Sequence, residues 1–236
     1  MPGTAERYRL PTVLVVGMPL LLWIYTYIEN AVALYTELPV YREYRLIENM
    51  TVVILLVAVI SLVFSFKQAA LIREKIWLAL LSAGAVYFLG EEISWGYHII
   101  PHSTAPRVPG LNDQGEPNLH NLGGIWELVF DKLPRQCLSV GVIIGALLGI
   151  RAERWPGWPR SLRLRRLLPA GNTLYVAILA SIVSVPEKIL EHLMAAPPEW
   201  LILGNNAGEL KECLLALFIA FYAYGLRRNL SAVSPS

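Results

Sequence analysis

Six stretches of this chain are each apolar for most of the length a helix needs to cross a bilayer, and they limit the fold more than any other feature. A span takes roughly 20 mostly apolar residues. The candidates are about Pro11–Ile28, Met50–Phe66, Ile76–His98, Gln136–Ile150, Thr173–Met194 and Ala207–Leu226. Backbone polar groups in hydrocarbon must be satisfied internally, so each is expected to be a helix. Trp23, Trp77, Trp95, Tyr97 and Tyr224 fall near the expected ends, where interfacial aromatics belong. The composition agrees: 55% of residues are hydrophobic, 16% are charged, and the mean hydropathy is +0.48. A soluble domain carries about 25% charged residues. The expected fold is an all-α polytopic membrane helix bundle, a single transmembrane domain over residues 1–236.

Lysine and arginine set the orientation. Arg7 and Arg9 precede the first span, and Lys67, Arg73 and Lys75 lie between the second and third. Arg151, Arg154, Arg160, Arg163, Arg165 and Arg166 lie between the fourth and fifth, and Arg227 and Arg228 follow the sixth. The pattern places both termini in the cytoplasm and three segments outside, at about 29–49, 99–135 and 195–206. Ala31-Val32-Ala33 has the form of a cleavage site, but the apolar run before it exceeds the ~7–15 residues of a signal core, so the first span reads as an uncleaved anchor. A net charge of +2 gives no reason to expect a nucleic-acid partner. The two cysteines, Cys137 and Cys213, read as isolated thiols. Gly141, Gly145 and Gly149, four residues apart, mark a close packing face on the fourth span. Ile125–Leu133 reads as an amphipathic helix on the outer surface.

Ionisable residues inside a span are costly, by about 2.5–3.5 kcal/mol each on insertion scales, and are functional candidates by default. The third span ends Gly90-Glu91-Glu92-Ile93-Ser94-Trp95-Gly96-Tyr97-His98, and the fifth carries Glu187, Lys188, Glu191 and His192 after Pro186. At 1.5 Å per residue both acidic sites lie about 10 Å inside the outer boundary. If the two helices touch, the sites can meet. The bland alternative is a buried ion pair of Glu91 or Glu92 with Lys188. The loop 99–135 is rich in proline and glycine and carries His120 between Asn118 and Asn121, so it can fold over the helix ends as a lid. Glu209 and Glu212 fall on the same predicted side as all four histidines.

The expected roles follow from residue type. Glu91, Glu92 and His120 are candidates for catalysis, as base, acid or ligand. Trp95, Asn118 and Asn121 are candidates for substrate binding. His98, Glu187, Glu191 and His192 are candidate ligands for a divalent metal, zinc or similar. The leading expectation is a membrane-embedded enzyme, a metal-dependent hydrolase or transferase, acting on a lipid or lipid-linked substrate at the outer leaflet. Alternatives are a transporter or proton-coupled channel, and a non-catalytic subunit bound to a membrane-protein partner, including a haem carrier using His98 and His192. The apolar inner halves of the third and fifth spans (Trp77–Tyr87, Leu174–Ile182) weigh against a conducting path.

The stretches Gly90–Gly96 (GEEISWG) and Glu116–Leu122 (EPNLHNL) resemble motifs of a family of bacterial multi-pass membrane proteins that carries no assigned activity. The resemblance implies a bacterial inner (cytoplasmic) membrane, and the basic-residue pattern turns the site toward the periplasm. There is also a remote similarity to the alkaline ceramidase and progestin-receptor-like superfamily, which implies a zinc held by histidines. This chain departs from it in having six expected spans rather than seven. Its only histidines four apart are His98 and His102, with Pro101 between them.

Overall fold

The structure is a computed structural model, and it describes residues 8–36, 46–93, 95, 125–155, 158, 162–194 and 206–231. Every regular element among the described residues is helical. They are α1 (Thr12–Thr36), α2 (Leu46–Gln68), α3 (Ile72–Glu92), α4 (Ile125–Glu127), a π-helical turn (Leu128–Lys132), α5 (Leu133–Arg154), α6 (Leu162–Arg166), a 3-10 turn (Gly171–Thr173), α7 (Leu174–Ile182), α8 (Val185–Leu193) and α9 (Asn206–Ser231).

Three helical stretches are long and apolar enough to cross a membrane: α1, α2 and the continuous run Leu128–Arg154. Only 28%, 33% and 17% of their apolar windows are buried against the rest of the chain, so most of their apolar surface faces outward. Val13, Leu21 and Ile24 on α1 and Val53, Val57 and Ile60 on α2 are among the exposed side chains. Soluble monomers rarely leave contiguous apolar surface of that extent uncovered; a membrane accommodates it. Helices α3 and α9 are long enough, with 21 and 26 residues, but carry charges at both ends. Their uncharged stretches shorten to 76–90 and 213–226.

The fifth apolar stretch is two nine-residue helices. The break falls at Val183–Ser184, and Pro186 sits in the first turn of α8. Proline has no N–H to give, so it is tolerated there and disrupts a helix interior. Residues 125–132 are not a separate surface helix. They run into α5 through the π-helical turn and prolong it toward one end of the bundle.

Helix α9 is the hub. Leu210, Cys213, Leu214, Leu215, Ala216, Leu217, Ala223 and Leu226 are nearly inaccessible, and it packs most extensively on α2, then on α7. Buried hydroxyls turn back on their own helices: Thr26 donates to the Leu22 carbonyl (2.8 Å), Thr51 to Ile47 (3.0 Å) and Ser65 to Ser61 (2.8 Å). Such bonds leave no unpaired donor in an apolar interior.

Long-range polar contacts sort the helix termini into two ends. At one end Arg9 pairs with Glu153 (3.2 Å), and Glu153 accepts the Gly171 N–H (2.7 Å). There too the Tyr8 N–H donates to Asn229 Oδ1 (2.9 Å), Asn229 Nδ2 donates to the Arg166 carbonyl (3.3 Å), and the Arg227 guanidinium lies 4.7 Å from the Phe64 ring centroid. At the other end the Leu46 N–H donates to Glu29 (3.1 Å), and Asn206 Nδ2 donates to Asn30 (3.1 Å). Arginine and lysine gather at the first end, where α1, α3 and α7 begin and α2, α5 and α9 finish.

The glycine repeat of α5 packs on a turn. A Cβ on Gly149 would overlap the Pro169 carbonyl oxygen, one on Gly145 would lie 3.3 Å from the Pro169 ring, and one on Gly141 would meet nothing within 4 Å. Both cysteines are free, Cys137 exposed and Cys213 buried.

Candidate functional site

The sequence Gly90-Glu91-Glu92 ends α3, and the chain then folds back on itself. Trp95 takes a left-handed backbone, φ 51°, unusual for a bulky residue. Its indole lies over Gly90, where an added Cβ would sit 2.8 Å from the ring. Glycine is therefore the residue that lets the ring approach. The indole Nε1–H donates to Glu91 Oε1 at 2.6 Å, a charge-assisted bond that fixes the carboxylate. Trp95 also tilts against Tyr87, with centroids 6.3 Å apart, and the Tyr87 hydroxyl donates to the Phe130 carbonyl (3.0 Å) in the π-helical turn. Turns of that kind often mark functional positions.

Neighbouring residues on a helix point about 100° apart, so Glu92 faces elsewhere. It faces the first turns of α9, where Glu209 and Glu212 follow at i, i+3, and it also faces Arg135 on α5. One carboxylate oxygen from each of Glu92, Glu209 and Glu212 lies within 4.8 Å of the others. Arg135 Nη1 pairs with Glu212 Oε1 at 2.8 Å, and the Glu212 side chain is only 12% exposed. Two like charges 4.8 Å apart repel by about 3.5 kcal/mol at an effective dielectric near 20. Positive charge beside the cluster is therefore favourable, and the Arg135 guanidinium supplies some of it.

Glu91, Glu92, Arg135 and Glu212 line the polar end of a cavity of about 270 Å³ between α3, α5 and α9. Its remaining walls are apolar apart from the Tyr87 hydroxyl.

The expected residues separate as follows. Glu91 and Glu92 lie in the cavity wall, and Trp95 holds Glu91. Glu191 and His192 are exposed on α8, and Glu187 lies in the first turn of the same helix. The structure gathers Glu92 with α9 and α5, and it does not bring Glu191 or His192 into that cluster. Lys188 is exposed as well, and the cation beside Glu92 is Arg135. His98, Asn118, His120 and Asn121, with most of the expected lid, lie outside the described residues. Glu209, Glu212 and Arg135 were not among the sequence candidates. Their signal was two acids three residues apart at the start of an apolar helix, and an arginine at the start of another.

No family model, no curated protein and no solved structure matches this chain.

Proposed function

We propose that the chain is a six-span membrane protein with both termini cytoplasmic. On this reading it is a membrane-embedded enzyme that acts on a lipid or lipid-linked substrate by hydrolysis or group transfer. The observation that carries the enzyme reading is the cluster of Glu92, Glu209 and Glu212, of which Glu92 and Glu212 line the polar end of an otherwise apolar cavity. Acid–base or cation-binding groups at the head of an apolar pocket suit a substrate with a reactive head and a hydrocarbon tail. Membrane lipid is then the partner, at the outer leaflet of a bacterial inner membrane.

The six-span reading is supported by the two ends of the bundle. Basic residues gather where α1, α3 and α7 begin, as the positive-inside rule requires of the cytoplasmic side. The carboxylates then face outward. A cysteine introduced as His120→Cys, with Cys137 and Cys213 replaced by serine and alanine, should react with an impermeant maleimide added outside whole cells. Labelling only after the cytoplasmic side is opened would sink the orientation.

The donor set fits a hard divalent cation. Oxygen ligands about 2.0–2.6 Å from such an ion place opposite oxygens about 4–5 Å apart, close to the spread found here. All-oxygen ligation suits magnesium, calcium or manganese better than the zinc expected with histidine ligands. Such an ion would polarise the reacting group and lower the pKa of a bound water. In this scheme Glu92 would hold the ion, Glu91, fixed by Trp95, would hold or move the proton at the substrate head, and Arg135 fixes Glu212.

Purified protein equilibrated with magnesium, manganese or calcium should retain about one ion per chain, and Glu92→Gln and Glu209→Gln should lose it. If no metal is retained by any form and Glu92→Gln is more stable than the parent, the cluster is a structural tie and the enzyme reading fails.

A further inference from the structure

The proposed site has a head; the cleft beneath it has the form of a place for a tail. Along α3 the lining runs from Glu92 down to Leu80, twelve residues or about 18 Å. Leu138 of α5 and Leu215 and Ile219 of α9 line the rest. Helix α3 packs chiefly on α2, and α5 packs chiefly on α7 and the 3-10 turn, so the space between α3 and α5 is left to the cleft. Two crossbars hold it at its ends. Trp77 Nε1–H donates to the Tyr222 hydroxyl (2.9 Å) below, and Tyr87 donates to the Phe130 carbonyl (3.0 Å) above.

Gly84 lies midway. It is exposed, it lines the cleft, and a Cβ added there would meet nothing within 4 Å. Leu80, one turn further, is also largely exposed. The cleft is therefore accessible from the side of the bundle. Its occupant must be apolar for most of its length and end at the carboxylate cluster.

We infer that the cleft binds one hydrocarbon chain of an amphiphile whose positive or cation-bridged head sits at Glu92, Glu209 and Glu212, and that Gly84 sets the chain length it accepts. This rests on the reading of the carboxylate cluster as the site for a lipid head. It adds the tail, the sideways access and a residue that determines specificity. A chain that enters from the bilayer exchanges one hydrocarbon environment for another, so shape decides: a side chain placed across the path excludes long chains and spares short ones.

The test uses the full-length protein in vesicles of neutral phospholipid without divalent cations, so that an ammonium head is the available counter-charge. The probes are hexadecylamine and octylamine carrying a diazirine at the chain terminus, with hexadecyl sulfate carrying the same group as the charge control. After irradiation, mass spectrometry maps the labelled peptides. The long amine should label Leu80–Leu81 and the α9 peptide at Ile219, the short amine should label nearer Phe88 and Leu138, and the sulfate should label neither set. Gly84→Leu should cut long-amine labelling at Leu80–Leu81 by about tenfold or more and leave short-amine labelling unchanged. The added side chain meets open space, so the fold should persist. Gly17→Leu on α1, where a Cβ also meets nothing within 4 Å, should change neither. Labels confined to the outward faces of α1 and α2, equal labelling by amine and sulfate, or a Gly84→Leu profile identical to the parent would each overturn the inference. Labelling as expected in a protein that retains no metal and gains stability on Glu92→Gln would remove the enzyme reading and leave a lipid-binding site. Metal retention without labelling of the cleft would do the reverse.

Discussion

Gly149→Ala is expected to destabilise the protein by about 3 kcal/mol or more, at the top of the range for overpacked sites, and Gly141→Ala to change stability by less than about 0.5 kcal/mol. The two glycines lie two turns apart on α5, and the sequence gives them equal standing. Their surroundings differ. At Gly149 the added methyl would overlap the Pro169 carbonyl oxygen and crowd Ala170, both backbone atoms of the turn that leads into α7. That turn cannot yield cheaply: the Gly171 N–H is bonded to Glu153 (2.7 Å), and the Thr173 hydroxyl to the Ala170 carbonyl (2.6 Å). The strain must instead separate α5 from the turn and α7, against which α5 packs most closely. At Gly141 the methyl enters open space. Thermal unfolding of both variants in the same detergent checks the contrast. Equal melting temperatures would show that the close approach at Pro169 is absent.

Arg135→Met is expected to destabilise by about 2 kcal/mol and Glu212→Gln by less, with the double variant recovering most of the loss. The reason is electrostatic. Removing one partner of a buried pair leaves an uncompensated charge, at about 3–5 kcal/mol for a fully buried pair, whereas replacing both partners can be nearly neutral. The figure for Arg135 is reduced because its side chain is 42% exposed and water screens it. The loss exceeds that for a surface pair because Glu92 and Glu209 stand beside the abandoned Glu212. A double-mutant cycle read by denaturant or thermal unfolding measures the coupling. Additive single effects would mean that the 2.8 Å contact is energetically idle. Adding a divalent cation to Arg135→Met should restore part of its stability if the cluster binds one.

The helical character of the chain was legible because apolar residues run uninterrupted through α1, α2 and the fourth stretch, and an apolar run in a membrane has few options besides a helix. The break before Pro186 has a local cause, the missing N–H. Half of the candidate site was legible as well: Glu91 and Glu92 stand out because carboxylates at the end of an apolar helix are expensive. The other half was not. Glu209 and Glu212 sit in the first turns of α9, where acids are common because they favour the positive end of the helix dipole, so nothing local distinguishes them. Arg135 looks like a residue at the boundary of a span. Which helix end faces Glu92 depends on the packing order of the bundle, and that order comes from side-chain fit between elements far apart in sequence. For the same reason α8, with the more conspicuous Glu191 and His192, attracted attention that the packing gives to α9. Trp95 offered an interfacial ring to the sequence reading. Its left-handed backbone and its bond to Glu91 became visible only with Gly90 beneath it.

The burial of α9 also bears on how the protein is made. A ribosome delivers α1 through α8 before α9. Until α9 is in place, α2 lacks the surface it packs on most, α7 lacks a major partner, and Glu92 and Arg135 lack Glu209 and Glu212. The earlier helices must wait as a loose group, held by contacts such as Arg9–Glu153 and the seating of α5 on Pro169. Arrival of α9 then supplies the central packing surface and the last acidic side chains in one step. A chain arrested before residue 206 would therefore lack both the hub of the bundle and the head of its site, which ties acquisition of the site to completion of the fold.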